Sequence, residues 1–227
     1  SCAPSRPASP AWAAASLATA RTPYEKVSVR GMIDEHTAVE ADYEVVPDGI
    51  RYFIASGAGE KSPQYDAVLA SYPELLNQVA DMASAGADEW GYLADGVTIK
   101  GGVDANDKYS TGLWQAGTDL GYRLPLEAGE YTLTTGFAEW WGVTRPMIQS
   151  VSAGGEELAS GSIDLSGSRS RASGELTFTL DEPAVVDYVV TSRGAGSSDP
   201  VISWLAVAGP APAVEPGTRT AAGRERV

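Results

Sequence analysis

Cysteine and histidine are almost absent from this chain, which has one of each in 227 residues. A lone Cys2 rules out an internal disulfide framework and a cysteine-based zinc site. A lone His36 rules out a histidine-rich metal site, and any Ser-His-Asp triad would have to use it. Since His36 stands in the polar segment Asp34-Glu35-His36-Thr37, we expect a solvated turn histidine rather than a catalytic base.

Positive charge and long apolar runs are also scarce. The 16 basic residues face 30 acidic ones, for a formal net charge of -14. Because such a chain repels phosphate and anionic lipid, nucleic acid and membranes are not expected partners. No apolar run approaches the ~18 residues of a transmembrane helix, and Ala11–Ala20 lacks the basic start of a signal peptide. The acidic, lysine-poor composition favours a secreted protein.

Composition divides the chain into four parts. Residues 1–24 are rich in Ala, Ser and Pro and are predicted to be a disordered leader or linker. Residues 25–49 alternate apolar and polar side chains, which predicts one or more strands. Residues 50–209 form the main domain, and residues 210–227 are predicted to be a disordered tail. Residues 63–82 have apolar side chains at helical spacing, but Pro73 interrupts them, so only short helical pieces are expected there.

The apolar segment Ile50–Ala55 is a predicted strand. From Gly121 onward, further predicted strands, which include Glu156–Leu165, Ala184–Ser192 and Val201–Val207, are separated by turn residues such as Ala153-Gly154-Gly155 and Asp181-Glu182-Pro183. Many short strands with few helices are typical of an antiparallel β-sandwich. The predicted fold class is therefore all-β, with short helical pieces confined to one long connection.

Two adjacent tryptophans, Trp140 and Trp141, end a predicted strand in the segment GEYTLTTGFAEWW. Successive strand residues point to opposite faces, so one indole is expected in the core and one in solvent. An exposed indole could stack on a pyranose or furanose ring, and the alternative is that both pack under neighbouring loops. Glu139 and Arg145 flank the pair and could bind ligand hydroxyls or each other, the second being favoured for Arg145.

These segments resemble the malectin and malectin-like modules of the galactose-binding-like superfamily. The resemblance runs from IRYFIASG at Ile50–Gly57, through Tyr109-Ser110-Thr111 and the Phe-Ala-Glu signature ending at Glu139, to DPVISWLAVAG at Asp199–Gly209. It implies a jelly-roll sandwich over residues 50–209 that binds oligo- or polysaccharide. Trp140 and Trp141 are not residues that malectin itself uses, so the resemblance does not imply a particular sugar.

The resemblance also implies candidate site residues. Asp199 stands at the position of a sugar-binding aspartate in malectin, although the sequence Ser-Ser-Asp-Pro equally suits a turn. Tyr109, on a loop, could offer its ring and hydroxyl to a sugar or simply anchor the loop. Related sandwiches often carry a structural calcium ion. Asp104 and Asp107 are candidate ligands for one, with a solvated acidic loop as the favoured alternative.

Residues 25–49 resemble the last strand of a bacterial immunoglobulin-like domain, a combination typical of secreted multidomain glycoside hydrolases. Three functions follow as hypotheses. The first is a non-catalytic carbohydrate-binding module, with Trp140, Trp141, Tyr109, Glu139, Arg145 and Asp199 as the ligand-binding set. The second is a structural spacer or docking domain beside neighbouring domains of a parent enzyme. The third is a hydrolase in its own right, but no motif singles out a pair of catalytic carboxylates.

Overall fold

The computed structural model describes residues 26–32, 38–44, 49–60, 62, 65–66, 70, 72, 74–93, 96–104, 107–117, 119–167, 170–193 and 199–210, the first two ranges by backbone only. Its strands are β1 Lys26–Met32, β2 Ala38–Glu44, β3 Ile50–Ala55, β4 Gly91–Tyr92, β5 Thr98–Gly101, β6 Thr111–Trp114, β7 Leu120–Leu126, β8 Gly129–Ala138, β9 Arg145–Ala153, β10 Glu156–Leu165, β11 Arg171–Leu180, β12 Ala184–Ser192, β13 Val201–Ile202 and β14 Trp204–Ala208.

The main domain is an antiparallel β-sandwich, which confirms the predicted fold class. One sheet has the strand order β10-β9-β12-β7-β4 and the facing sheet has the order β11-β8-β14-β3. Alternate residues of both sheets fill the space between them, including Leu133 and Val207 from one sheet and Val151 and Tyr188 from the other. This alternation on paired strands buries a continuous apolar layer, which is what holds the two sheets together.

A second core lies on the opposite face of β3 and β14. Phe53 stacks on Tyr65 and on Trp204, with ring centroids 5.9 and 6.3 Å apart. Leu75 and Ala80 of the long connection between β3 and β4 also pack there. Because β3 is covered on both faces, its sequence IRYFIA is apolar almost throughout instead of alternating.

The long connection is less helical than its spacing suggests. Tyr65, Asp66 and Ala70 are helical, as expected of short pieces, but residues 74–82 form turns and irregular backbone. There the Asn77 side chain accepts from Phe53 N and donates to Phe53 O, and the amide of Leu76 donates to Arg51 O. Hydrogen bonds to the free edge of β3 thus replace those of a helix and cover that edge.

Most of the predicted strands are observed with shifts of a few residues at their ends. The exception is the single strand expected over 201–207, which is broken at Ser203. Val201 and Ile202 pair with β6 in a small sheet of order β13-β6-β5, whereas Trp204 onward pairs with β8 and β3. The break lets one chain segment serve two sheets, a change of partner that periodicity along the sequence does not reveal.

The alternating segment before the main domain forms an antiparallel hairpin of β1 and β2, in which Val27 pairs with Tyr43 and Val29 with Ala41. Two strands are thus observed in this segment, and its membership of an immunoglobulin-like domain stays a prediction. The predicted leader, the predicted tail beyond Pro210, and His36 lie outside the described residues. In the part of the chain that is described, no helix has the length and apolarity needed to cross a bilayer.

The sandwich has two distinct ends. One end contains the end of β8, the start of β9 and the small sheet of β13, β6 and β5. We call it the aromatic end, because Trp140 and Trp141 directly follow β8. The other end contains the start of β3 and the end of β14, where the amide of Gly209 donates to Gly49 O at 2.7 Å. We call it the cavity end, because Arg51, Tyr52 and Pro210 line a cavity there. The chain therefore enters and leaves the sandwich side by side at the cavity end.

Candidate functional site

A tight turn follows β8 and carries the two tryptophans. The Glu139 carboxylate accepts hydrogen bonds through Oε1 from the backbone amides of Trp141, at 2.5 Å, and Gly142, at 2.9 Å. Gly142 has φ +82°, in the left-handed region that favours glycine. The strand ends at Ala138, so this turn, and not alternation along a continuing strand, directs one indole towards the core and the other towards solvent.

The other Glu139 oxygen, Oε2, accepts from Nε of Arg145 in an ion pair whose side chains are almost fully buried. Arg145 Nη1 also donates to the backbone carbonyl of Asp199. The ion pair expected for Arg145 is thus present, and it ties the tryptophan turn to β9 and to the start of β13. Burial of both partners with these additional hydrogen bonds favours one arrangement of the turn.

Trp141 lies at the centre of a cluster of aromatic and cationic side chains. Its indole is 41% exposed. Its ring centroid lies 5.5 Å from that of Trp114 and 5.9 Å from that of Trp140, both in edge-to-face geometry. The guanidinium carbon of buried Arg145 lies 4.7 Å from the same centroid. These contacts hold the indole in place while leaving much of it open to solvent.

Trp140 is half-buried and packs against the main core. Its ring lies directly over Gly112 of β6: a Cβ atom at position 112 would meet Trp140 Cη2 at 2.3 Å and the carbonyl oxygen of Ile202 at 2.8 Å. Glycine at this position allows the indole to reach the backbone of β6. Trp140 is therefore mainly a packing residue, and Trp141 presents the open surface.

Lys100 and Asp199 flank the aromatic cluster. The ammonium of half-buried Lys100 lies 5.2 Å from the Trp141 ring centroid. Asp199, also half-buried, accepts a hydrogen bond through Oδ1 from the amide of Gly117 at 3.0 Å. Lys100 belongs to β5, and Asp199 shortly precedes β13; these two strands pair with opposite edges of β6. The cluster thus has a cation on one side and a carboxylate on the other.

Tyr109 lies in a second cluster, on the outer face of β14. Its ring makes an edge contact with Trp204 at 5.9 Å, and the guanidinium of Arg171 lies 4.9 Å from the Tyr109 centroid. The ammonium of Lys108 lies 4.2 Å from the Trp204 centroid. The structure therefore brings Trp140, Trp141, Glu139, Arg145 and Asp199 together and places Tyr109 in a different set of contacts.

The two calcium candidates do not form a fitting metal site. Asp107 makes a two-pronged ion pair with Arg171, at 2.6 and 3.1 Å, and its Oδ1 also accepts from the amide of Tyr109. Both Asp107 oxygens are therefore already bound by the guanidinium of Arg171, a cation that would repel Ca²⁺. Among the described residues, no three or more His, Cys, Asp or Glu side chains are grouped as metal ligands would be.

A buried polar network lies beneath the aromatic end. The carboxylate of Asp81 accepts from the amide of Gly57 at 2.7 Å and from the hydroxyl of Tyr122 at 3.0 Å, and that hydroxyl also lies 2.8 Å from Ser56 Oγ. Burial raises the pKa of Asp81 to about 7, although the hydrogen bonds oppose the rise. Sequence reasoning missed this group, because nothing near Asp81 in the chain distinguishes it from the many exposed acids.

The cavity end has a different character. A cavity of about 550 Å³ lies there, lined mainly by apolar and aromatic side chains that include Tyr52, Leu76, Tyr131 and Pro210. Asp88 and Glu127 add carboxylates to its lining. Arg51 donates to the carbonyls of Ile50, Gly209 and Pro210, so it fastens the exit of the chain beside its entry.

No protein-family model matches the chain, and no curated protein matches its sequence. Among solved structures, it is similar to a calcium-binding mutant of Bacteroides uniformis β-glucuronidase 2, with 16% identity, a TM-score of 0.47, and coverage of 72% of this chain and 18% of that one. It is also similar to the ANXUR2 extracellular domain from Arabidopsis thaliana, with 12% identity, a TM-score of 0.44, and coverage of 70% and 48%.

A third similar structure is a family 35 carbohydrate-binding module from Clostridium thermocellum, with 16% identity, a TM-score of 0.36, and coverage of 53% of this chain and 92% of that one. The chain spans less than a fifth of the glucuronidase and about half of the plant ectodomain. At TM-scores below 0.5 these similarities do not show what this chain binds or does.

Proposed function

We propose that this chain is a non-catalytic module that binds glycans at its aromatic end. The observation that carries the proposal is Trp141, an indole that is 41% exposed yet held by Trp114, Trp140 and Arg145. A fixed, open indole suits the apolar C–H face of a sugar ring, and it loses little conformational entropy on binding.

The residues of the site divide into two roles under this proposal. Trp141 supplies the stacking surface, and Asp199 supplies a carboxylate that accepts hydrogen bonds from sugar hydroxyls. Glu139 and Arg145 are buried and satisfied by each other, so we propose that they position Trp141 instead of touching the ligand. Trp140 supports the platform, and Tyr109 remains a proposed contact of a longer glycan. Single-site affinity is expected near ~0.1–1 mM, since little apolar area is covered.

We further propose that the module serves as an accessory domain of a secreted bacterial glycoside hydrolase. Entry and exit of the chain at the cavity end support this arrangement, because flanking domains would attach there and leave Trp141 free. Tethering would raise the local concentration of the parent enzyme on its polysaccharide. Both the parent enzyme and the extracellular location belong to the proposal.

The test is affinity electrophoresis and calorimetry of the whole chain against a panel of plant and bacterial polysaccharides and simple sugars. Trp141→Ala should abolish retardation on the glycan that binds. Leu76→Ala is the matched control, because Leu76 is 39% exposed and lines the cavity at the other end. Assay of the same mixtures for new reducing ends tests the alternative that the chain is itself a hydrolase. Absence of retardation on every glycan would refute the binding proposal.

The cavity supports a second candidate function, a spacer or docking domain. Its apolar lining lies where the chain enters and leaves, which is where a neighbouring domain has to approach. In that case Leu76→Ala should weaken association with a neighbouring domain, while Trp141→Ala should leave the association unchanged. The reverse pattern would favour the glycan-binding function alone.

A structural calcium ion at Asp104 and Asp107 remains a prediction that the observed contacts do not favour. The Asp107–Arg171 ion pair would have to open before the carboxylate could bind a cation. Thermal unfolding with excess CaCl₂ and with EDTA tests this directly. We expect the same Tm in both, and a calcium-dependent rise that Asp107→Asn removes would reverse that expectation.

A further inference from the structure

We propose that the Trp141 site prefers glycans that carry an anionic group and that Lys100 is the residue that determines this preference. The inference rests on the proposed function, since it concerns which sugars the same indole takes. Lys100 lies outside the ligand-binding set that is predicted from the sequence.

Lys100 lies beside the exposed indole of the site, although the protein as a whole is acidic. Its side chain is half-buried on β5, and its ammonium lies 5.2 Å from the centroid of the exposed Trp141 ring. Within the described part of the chain, the ion pairs join other residues, and none of them includes Lys100. The ammonium therefore lies beside the stacking surface, and no carboxylate of the described residues forms an ion pair with it.

The other charges of the site do not cancel Lys100. Glu139 is buried and already accepts from Arg145 and from two backbone amides. Asp199 approaches from the far side of β6, and strands two places apart in a sheet are separated by about 10 Å. At physiological ionic strength the Debye length is about 8 Å, so the Asp199 carboxylate is partly screened from a group that binds at Lys100.

Lys100 affects neutral and anionic ligands differently. A neutral sugar that covers Trp141 has to displace the ammonium from the ring and gives it no equivalent partner. A sugar with an anionic substituent offers the displaced ammonium a charge-assisted hydrogen bond while the ring stacks on the indole. The net charge of -14 lowers the affinity of every anionic ligand, but salt screens charges that lie beyond about 8 Å, so the adjacent ammonium has the larger effect on a group bound beside it.

The experiment compares ligands that differ in one group, using the full chain. Oligosaccharides of glucose, glucuronate and glucose 6-sulfate are titrated by calorimetry, and the two anionic arms distinguish a carboxylate from a sulfate as the group recognised. Lys100→Met should weaken anionic ligands about three- to tenfold and leave the neutral ligand unchanged or slightly tighter. Lys100→Arg should retain the preference because the charge is kept.

Lys108→Met is the matched control, because Lys108 also places its ammonium over an indole, 4.2 Å from the centroid of Trp204. It should not change the preference. Equal binding of neutral and anionic sugars by the parent chain, with binding lost in Trp141→Ala, would overturn this inference and leave the proposed function standing. Loss of the anionic preference in Lys108→Met instead of Lys100→Met would also overturn it. A folded parent chain that binds no sugar would refute both.

Discussion

The two ends of the sandwich are built from different interactions. At the aromatic end, buried charges and polar groups lie beneath an exposed indole: the Glu139–Arg145 pair behind Trp141, and Asp81 with Tyr122 deeper in the domain. At the cavity end, mainly apolar side chains line an open space, and Arg51 and the hydroxyls of Tyr52 and Tyr131 donate to backbone carbonyls around it.

This difference fits the proposal that one end binds ligand and the other joins neighbouring chain segments. Buried polar groups are costly unless they are fully hydrogen-bonded, but when satisfied they specify a single arrangement of the groups around them. Such an arrangement is what a ligand platform needs. An apolar cavity specifies orientation less strictly and suits a packing contact where chain segments join.

Removal of the Glu139 side chain should have the largest effect on the difference between the two ends. Glu139→Ala leaves Arg145 buried without its counter-charge and leaves two amides of the turn without an acceptor. We expect a loss of about 3–5 kcal/mol in the free energy of unfolding, measured with urea, together with loss of glycan binding.

Glu139→Gln is the control for this change, since it keeps an acceptor for the turn amides and removes only the charge. It should have an intermediate stability. Wild-type stability in Glu139→Ala would mean that the ion pair does not hold the aromatic end together.

The next largest effect should be a dependence of the free energy of unfolding on pH, which arises from Asp81 beneath the aromatic end. With a pKa raised to about 7 in the folded state and near 3.8 when unfolded, Asp81 binds its proton more tightly in the folded protein. Its contribution to stability is therefore complete below about pH 4, declines as pH rises through 7, and is constant above. The expected loss is on the order of 4 kcal/mol across that range, because the two pKa values differ by about 3 units and each unit corresponds to about 1.4 kcal/mol.

Asp81→Asn should remove this pH dependence, which chemical unfolding at pH 4, 6 and 8 would measure. Asp66→Asn, which alters an exposed carboxyl group, should retain it. If Asp81→Asn and the parent chain lose stability equally between pH 4 and 8, the dependence arises elsewhere.

A change that crowds the aromatic end alone should have the next largest effect. Gly112→Ala places a methyl group against Trp140 and the carbonyl of Ile202, and we expect a loss of about 2–3 kcal/mol in unfolding free energy. Gly102→Ala, where a Cβ atom meets nothing within 4 Å, should be nearly neutral. Equal unfolding midpoints for the two variants would show that Trp140 does not require its close contact with β6.

The smallest effect should follow from a change at the cavity end. Arg51→Met removes the hydrogen bonds to Gly209 and Pro210 and should cost about 1–2 kcal/mol of unfolding free energy. Glycan affinity should stay within twofold of the parent chain, because Arg51 lies at the opposite end from Trp141. A parallel loss of stability and binding would mean that the two ends are coupled.

Much of the fold could be predicted from the sequence because the strands alternate visibly and end at turn residues. Ile50–Ala55, Glu156–Leu165 and Ala184–Ser192 were predicted at their observed bounds. The break at Ser203 and the irregular backbone after Pro73 were not. Each depends on hydrogen bonds to strands distant in the chain, which local periodicity does not encode.

The candidate site was only partly predictable. The adjacent tryptophans at the end of a predicted strand indicated the candidate segment, and the ion pair expected for Arg145 is present. Lys100 was not predicted because it lies 41 residues before Trp141 in the chain. Only the pairing of β5 with β6 brings its ammonium beside the indole. Asp81 was hidden for the same reason, since its partners come from β7 and the end of β3.

The central claim, that Trp141 is the glycan-binding surface, is tested most directly by NMR of the six indole N–H groups during glycan titration. The account predicts that the Trp141 resonance shifts most, with smaller shifts for Trp114 and Trp140, while Trp204 and Trp90 stay in place. A shift confined to Trp90, whose ring lies 6.2 Å from that of Tyr52 in the cavity lining, or binding with no change at Trp141, would contradict it.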